Sequence, residues 1–386
     1  MAVPILISPK IRLFVFGWFN FSLMTKTQYP SLNGLRAISI IFPLVSHLNI
    51  KNWILNDLWG KPWLDPFLFF LSDGHIGVSV FFVISGFLIT SLMLQEEAAT
   101  HTISLKKFYI RRTLRIFPAY YFMLFVYALL QHEHIFHISP NAWFTAITYT
   151  KYLNWDRDWY TAHAWSLSIE EQFYLCWPLL FLTGNQIRKV CAFAIVILVP
   201  CMRVYFHLNP SRWVTEMSFL VRADTLAAGC LLAMYKDQLV GLLRPYFTLL
   251  FYFSIAGFLA FPYVISWADR HHAGAVFIPL GGTHGTIGIA FMAIIILYSV
   301  FGPKHLWYKV LNLRVVNFIG LLSYSLYLWQ QFFISNNGLW LTRLPQSLAF
   351  LLIAALFSYY FIEKPFNKLR AKFEVKEKSL TSAVYN

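Results

Sequence analysis

The chain has 386 residues, of which 58% are hydrophobic and only 12% charged, with a mean hydropathy of +0.56 and a formal net charge of +14. Soluble domains carry about 25% charged residues. The composition therefore excludes a soluble or disordered chain and reads as an all-α, polytopic membrane protein. The positive balance is expected in cytoplasmic loops, where Lys and Arg set topology, so nucleic acid is not an expected partner.

A bundle of about ten transmembrane helices is predicted, near 34–50, 74–94, 114–132, 163–183, 189–207, 218–235, 246–267, 276–301, 318–336 and 344–362. These form one membrane domain over residues 29–366, between an N-terminal segment 1–28 and a short charged tail 367–386. In the first segment Lys10 and Arg12 precede an apolar stretch, Leu13 to Met24, that is too short to span. It reads as an interfacial helix, or as residues ahead of a start at Met24. The segment 142–153 is aromatic and short, so an interfacial or re-entrant piece is expected. The fourth and sixth spans are short or polar and are expected to be tilted, broken or buried. With both termini inside, the inner segments hold 21 Lys and Arg and the outer segments 7. That ratio favours cytoplasmic termini and an even number of spans.

The first span, LNGLRAISIIFPLVSH, carries Arg36 and His47 eleven residues apart. Eleven steps of 100° leave a residual of about 20°, so both side chains share a face, about 16 Å apart along the axis. An ionisable pair at membrane depth should face a protein cavity and is a candidate site. A lone buried His is more often a hydrogen-bonded packing residue; the shared face and Pro43 between the two weigh against that here. A neutral imidazole at His47 can take a proton from a hydroxyl. In the second span, Gly74, Gly77 and Gly86 permit close helix approach.

The loop into the third span, SLKKFYIRRTLRIFP, holds Arg111, Arg112 and Arg115. Arg111 and Arg115 share a helical face. Topology and lipid headgroups account for most such clusters; the sharper reading is a bidentate phosphate clamp. His132, His134 and His137 follow that span in a spacing that aligns no ligand pair on one helix face, and no metal is expected. The four cysteines lie in or beside apolar segments, without metal or redox spacing.

The fourth span opens HAWSLSIEEQFYLCWP, with Glu170 and Glu171 behind Trp165, Ser166 and Ser168. One carboxylate is expected to hold the imidazolium formed on His47. The plainer alternative is a capping pattern from Ser166 to Glu170. In FLVRADTLAAGCLLA, Arg222 and Asp224 are two residues apart and need separate partners. His284 lies in the glycine-rich opening of the eighth span.

Taken together, LNGLRAISIIFPLVSH, GVSVFFVISGFLI, RRTLRIFP, AWSLSIEEQFYLCWP, VRADTLAAGCLLA, LLSYSLYLWQ and FIEKPF resemble, in order, the blocks of the acyltransferase 3 family. These are bacterial integral-membrane O-acyltransferases. The resemblance runs from about Tyr29 to Phe366 and implies an acyl-CoA donor, acetyl-CoA foremost, from the cytoplasm. It implies a hydroxyl acceptor, commonly a glycan or a lipid-linked sugar, and an inner-membrane location. It assigns His47 as general base with Arg36 as its pair, Glu170 as the fourth-span carboxylate, and Arg111, Arg112 and Arg115 to the donor. Trp165, Ser168, Glu171, Arg222 and Tyr327 are expected to line the acceptor side. Two positions depart from the family pattern. Asn33 stands where many members have Asp, and Gln330 where many have His. The rival reading is a glycan or lipid transporter without acyl transfer; a small-molecule acceptor is the alternative within the acyltransferase reading.

Overall fold

The computed structural model describes residues 29, 31–48, 64–153, 158–211, 213–271, 280, 285–335 and 337–374. Segment 1–28, His284 and the end of the tail lie outside them. The described residues form helices and no strand. The first six helices are α1 (Leu32–His47), α2 (Asp65–Leu71), α3 (Gly74–Thr100), α4 (Leu105–His132), α5 (Pro140–Ile147) and α6 (Ala164–Cys176). They are followed by α7 (Asn185–Leu208), α8 (Ala223–Met234), α9 (Lys236–Leu243), α10 (Phe247–Arg270) and α11 (Thr286–Phe301). The last four are α12 (Leu306–Leu311), α13 (Arg314–Phe333), α14 (Gln346–Phe357) and α15 (Lys364–Ala371).

Five helical stretches are long and apolar enough to cross a membrane: Gly74–Thr100, Leu105–His132, Asn185–Leu208, Lys236–Ala268 and Gln346–Ala371. Two shorter apolar helices, Ala223–Met234 and Thr286–Phe301, accompany them. The outer surface is apolar where lipid would lie. Val190, Ile197, Leu198 and Tyr205 of α7 are exposed, as are Leu249, Tyr252 and Phe253 of α10. Contiguous apolar exposure on this scale is unsustainable in water.

α3 is the central post. Of its most apolar window 72% is buried, against 22–33% for the other four long stretches. α1 packs on one side of it and α8 on the other, with α13 continuing beyond α1 and α7 beyond α8. Small residues permit these crossings. A Cβ on Gly86 would stand 2.0 Å from the Leu226 carbonyl, and one on Gly229 2.1 Å from the Val83 carbonyl, so α3 and α8 touch backbone to backbone. The α1 contact has a different cause. Pro43 inside α1 removes the donor that would satisfy the Ser39 carbonyl. Gly77 closes on that carbonyl, where a Cβ would come within 2.0 Å of it.

The arginine segment and the tail differ from what was expected, whereas the regions read as the fourth and sixth spans are broken and buried, as expected. The arginine segment is no loop: Ser104 caps Lys107, and α4 is helical from Leu105 onward. The fourth span breaks at Pro178, where α6 passes into a 3₁₀ turn, Trp177–Phe181. The sixth is a single short buried helix, α8. The segment after α4 folds as short α5 and a 3₁₀ turn, Lys151–Leu153. The beginning of the segment read as tail is helical. α14 passes through a π-helical turn, Ser358–Glu363, into α15, which lies along α4.

Candidate active site

The two ends of α1 open into two polar regions of different chemistry. Near its start, guanidinium groups converge. Arg36 from α1, Arg112 and Arg115 from α4, and Arg370 from α15 lie within electrostatic reach of one another. Neither Arg36 nor Arg115 has an ion pair or hydrogen bond to another described residue. Arg112 is held on three sides. Glu170 Oε2 and Glu171 Oε1 each lie 3.7 Å from it, and the Tyr174 ring lies beneath its guanidinium at 3.5 Å. Both carboxylate contacts are longer than a charge-assisted hydrogen bond, and Arg112 Nε has no hydrogen-bond acceptor. Arg36 and Arg115 have no carboxylate at salt-bridge distance among the described residues, unlike Arg112 and Arg370, and guanidinium groups left so are the electrostatics of an anion site.

Arg111 is placed differently from its neighbours. Its guanidinium pairs with Glu96 at 2.7 Å and donates to the Phe373 carbonyl at 3.0 Å. Glu96 also accepts from the Ser104 amide at 2.9 Å. Arg111 therefore ties the α3–α4 turn to the end of α15, and the i, i+4 pairing with Arg115 is not what organises it. Arg188 is likewise bound to Glu97 by two contacts of 3.0 and 2.8 Å.

Near the far end of α1, the His47 ring meets the Trp159 ring edge-on, with centroids 5.4 Å apart. Trp159 is fixed by its indole N–H, which donates to the Gln331 carbonyl at 2.8 Å. The loop that delivers it is pinned by a buried Lys151–Asp158 pair at 3.2 Å and by Thr161, whose hydroxyl donates to Asp158. The wholly buried Gln330 amide faces His47 from α13. His163 and His75 lie within electrostatic reach of His47. Several buried polar atoms here have no hydrogen-bond partner among the described residues: His47 Nδ1, both nitrogens of His163, and both amide atoms of Gln330. Each such atom costs about 1–3 kcal/mol if left unmet. A region that gathers them is suited to hydroxyl-bearing molecules or water.

Glu170 belongs to the arginine end. It is the foremost opposite charge acting on Arg36, and no carboxylate is among the groups acting on His47. Its Oε1 accepts from Ser85 at 2.6 Å. The capping reading does not describe this segment either. α6 starts at Ala164, and Ser166 lies inside it, bonded to the His163 carbonyl and to the Tyr327 hydroxyl at 2.7 Å. Ser168 is held within its own helix turn and by the Lys151 amide. Tyr327 also donates to the His163 carbonyl at 2.9 Å, so it braces the residue that carries the second imidazole. Trp165 lies against His75, with centroids 5.4 Å apart. Arg222 reaches His75 Nδ1 at 3.2 Å and the Glu216 carbonyl at 2.7 Å, over the Trp165 ring. Asp224 pairs instead with Arg203 at 2.5 Å. An apolar cleft lined by Phe193, Leu231, Tyr235, Leu239 and Leu242 shares no residue with either polar region.

Sequence reasoning passed over Arg370, His163 and Trp159 as site residues. The arginine lies in a segment read as tail, the histidine opens a block read for its carboxylates, and the tryptophan lies outside the blocks that carry the family resemblance.

Comparison with known proteins identifies the family of this chain. The chain is 31% identical to a protein of Staphylococcus aureus named "Putative O-acetyltransferase", over 90% of this chain and 59% of that one. It is 27% identical to the peptidoglycan O-acetyltransferase OatA of Listeria monocytogenes, over 89% of this chain and 56% of that one. The chain thus spans less than two thirds of the length of these relatives. No solved structure matches it. The family model described as "Acyltransferase domain" matches residues 29–363, so this chain is a member of the acyltransferase 3 family.

Proposed function

We propose that the protein moves an acyl group, acetyl in the first instance, from cytoplasmic acyl-CoA to a hydroxyl of a glycan or lipid-linked sugar. Arg36, Arg112 and Arg115 bind the donor phosphates, and the pantetheine arm runs beside α1 toward His47. The observation that carries this reading is the polarity of α1. Unneutralised guanidinium groups gather at one end, and an imidazole among unpaired polar atoms stands at the other. The ends are separated by about 16 Å, a span suited to an extended thioester arm.

In the reaction His47 accepts the proton of the acceptor hydroxyl as that oxygen attacks the thioester carbonyl. The carbon–sulfur bond then breaks, the thiolate takes up the proton from His47, and CoA leaves as the free thiol. Gln330 and His163 are suited to orient the acceptor hydroxyl, with Trp159 beside it. Glu170 acts at a distance from the imidazole by holding Arg112 in position. A covalent acyl-histidine relay uses the same residues in two steps.

The topology proposed with this chemistry has ten spans and both termini in the cytoplasm of a bacterial inner membrane. The basic ends of α4, α7 and α15 share one side, linked by the Arg111–Glu96 pair, the Arg188–Glu97 pair and the Arg111–Phe373 bond. Basic residues on one side are the inward mark. The test is release of CoA thiol from acetyl-CoA by purified protein in detergent, with and without glycan acceptors. Acceptor-stimulated release that vanishes in His47→Ala supports the reading, and its absence from wild-type protein with every glycan offered counts against it.

A further inference from the structure

α15 and Glu363, the last residue of the π-helical turn that leads into it, carry a polar stripe outside the residues that the proposed chemistry uses. Glu363, Asn367 and Arg370 stand at i, i+4 and i+7, on one face of the helix. Glu363 is buried and accepts from the Ser325 hydroxyl of α13. Asn367 Oδ1 and Arg370 Nε are both buried without a hydrogen-bond partner among the described residues. The opposite face, with Lys368 and Leu369, is exposed. α15 is held in place from its far end, where the Phe373 carbonyl accepts from Arg111. Its inward face therefore looks onto the same region that Arg36 and Arg115 enter from α1 and α4, and the three charges act on one another. Like charges brought together from three separate elements destabilise the fold unless an anion joins them. The carboxylates nearby do not pair with all three: Glu374, just past the end of α15, lies 3.2 Å from Arg370 and is half exposed, Glu363 is bonded to Ser325, and Glu170 is bonded to Ser85 and lies beside Arg112.

We propose that α15 is a wall of the donor site, with Asn367 and Arg370 binding the phosphate-bearing nucleotide end of acyl-CoA. This rests on the acyl-CoA reading above. A guanidinium supplies paired donors for phosphate oxygens. A neutral amide beside it suits the ribose or base better than it suits a bare ion. The shared ligand chemistry is a phosphate, and the nucleotide rather than a lipid headgroup is the source proposed, because the stripe faces inward while α15 turns its exposed side out.

The experiment measures binding of CoA and of adenosine 3′,5′-bisphosphate to the full-length protein by calorimetry, in nanodiscs of phosphatidylcholine alone and with phosphatidylglycerol. Arg370→Ala is expected to raise both dissociation constants at least tenfold in either lipid, Arg370→Lys to recover part of the loss, and Asn367→Ala to raise them severalfold. Lys368→Ala, on the exposed face of the same helix, is expected to match wild type. Size-exclusion and thermal-unfolding profiles show which variants fold. If Arg370→Ala binds CoA like wild type while Arg115→Ala is weakened, α15 is no part of the donor site and the acyl-CoA reading stands. If wild type binds neither nucleotide, the donor reading itself fails and this proposal with it. If the effect of Arg370→Ala occurs only with phosphatidylglycerol, a lipid headgroup occupies the stripe and the nucleotide assignment is overturned.

Discussion

Replacing Glu170 with glutamine separates two roles for that carboxylate. In the structure it lies 3.7 Å from Arg112 and accepts from Ser85 at 2.6 Å. At an effective dielectric of about 20, unit charges 3.7 Å apart attract by about 4–5 kcal/mol before desolvation is counted. Glutamine keeps an acceptor for Ser85, and Glu171 with the Tyr174 ring still holds Arg112. The net loss of stability is therefore expected to be only about 1–2 kcal/mol. Donor binding should move the other way. Removing one negative charge from a region meant for phosphates relieves about 0.5–1 kcal/mol of repulsion, which tightens the dissociation constant for CoA about two- to fivefold. Calorimetric titration with CoA measures this, alongside thermal unfolding and the pH dependence of acyl transfer. The expected result is a less stable protein with equal or tighter CoA binding and an unchanged pH profile. A displaced pH profile with at least a hundredfold loss of turnover and unaltered CoA binding would show that Glu170 serves the imidazole after all.

Three further outcomes follow from the same geometry. His47→Ala should lower acyl transfer by about 10²–10⁴-fold, the usual range for a lost general base, while adenosine 3′,5′-bisphosphate binds within twofold of wild type by calorimetry. Asp224→Asn strands the buried Arg203 charge and should cost about 3–5 kcal/mol in thermal or denaturant unfolding, whereas a paired Arg203→Met, Asp224→Leu variant should recover most of it. Gly86→Val forces a Cβ toward the Leu226 carbonyl and should separate α3 from α8, read as loss of folded monomer on size exclusion, while Gly241→Val, at a glycine with open space around it, should not.

How far the sequence reveals this site depends on whether a relation is local. Arg36 and His47 lie on one helix, so their shared face and their separation follow from helical geometry alone. Arg222 and Asp224 were expected to need separate partners, and they take His75 and Arg203. Relations between helices were out of reach. Spacing groups Arg111 with Arg115, but Glu96 on α3 claims Arg111 and leaves Arg115 to the shared region. Glu170 was assigned to His47 because both are ionisable and buried; only the packing of α6 against α3 and α4 shows that it meets Ser85 and Arg112. Gln330 was noted as a departure from the family pattern, and its place opposite His47 comes from α13 packing on α1. For Arg370 a signal was present in the i, i+4, i+7 polar stripe, but a charged segment after the last apolar span reads equally as a solvated tail. The helical spans divide in the same way. Long apolar helices such as α3 and α7 are legible from hydropathy, whereas α8 and α6 owe their helical form to burial against neighbours.

The central claim is that one donor molecule bridges the two polar ends of α1. A cryo-electron microscopy map of the full-length protein with CoA bound tests it most directly. The account predicts density for the nucleotide phosphates among Arg36, Arg115 and Arg370, with the pantetheine arm beside α1 and its sulfur in contact with the His47 ring. Phosphates seated elsewhere, or a thiol that ends away from His47 with the arginines unoccupied, would contradict it.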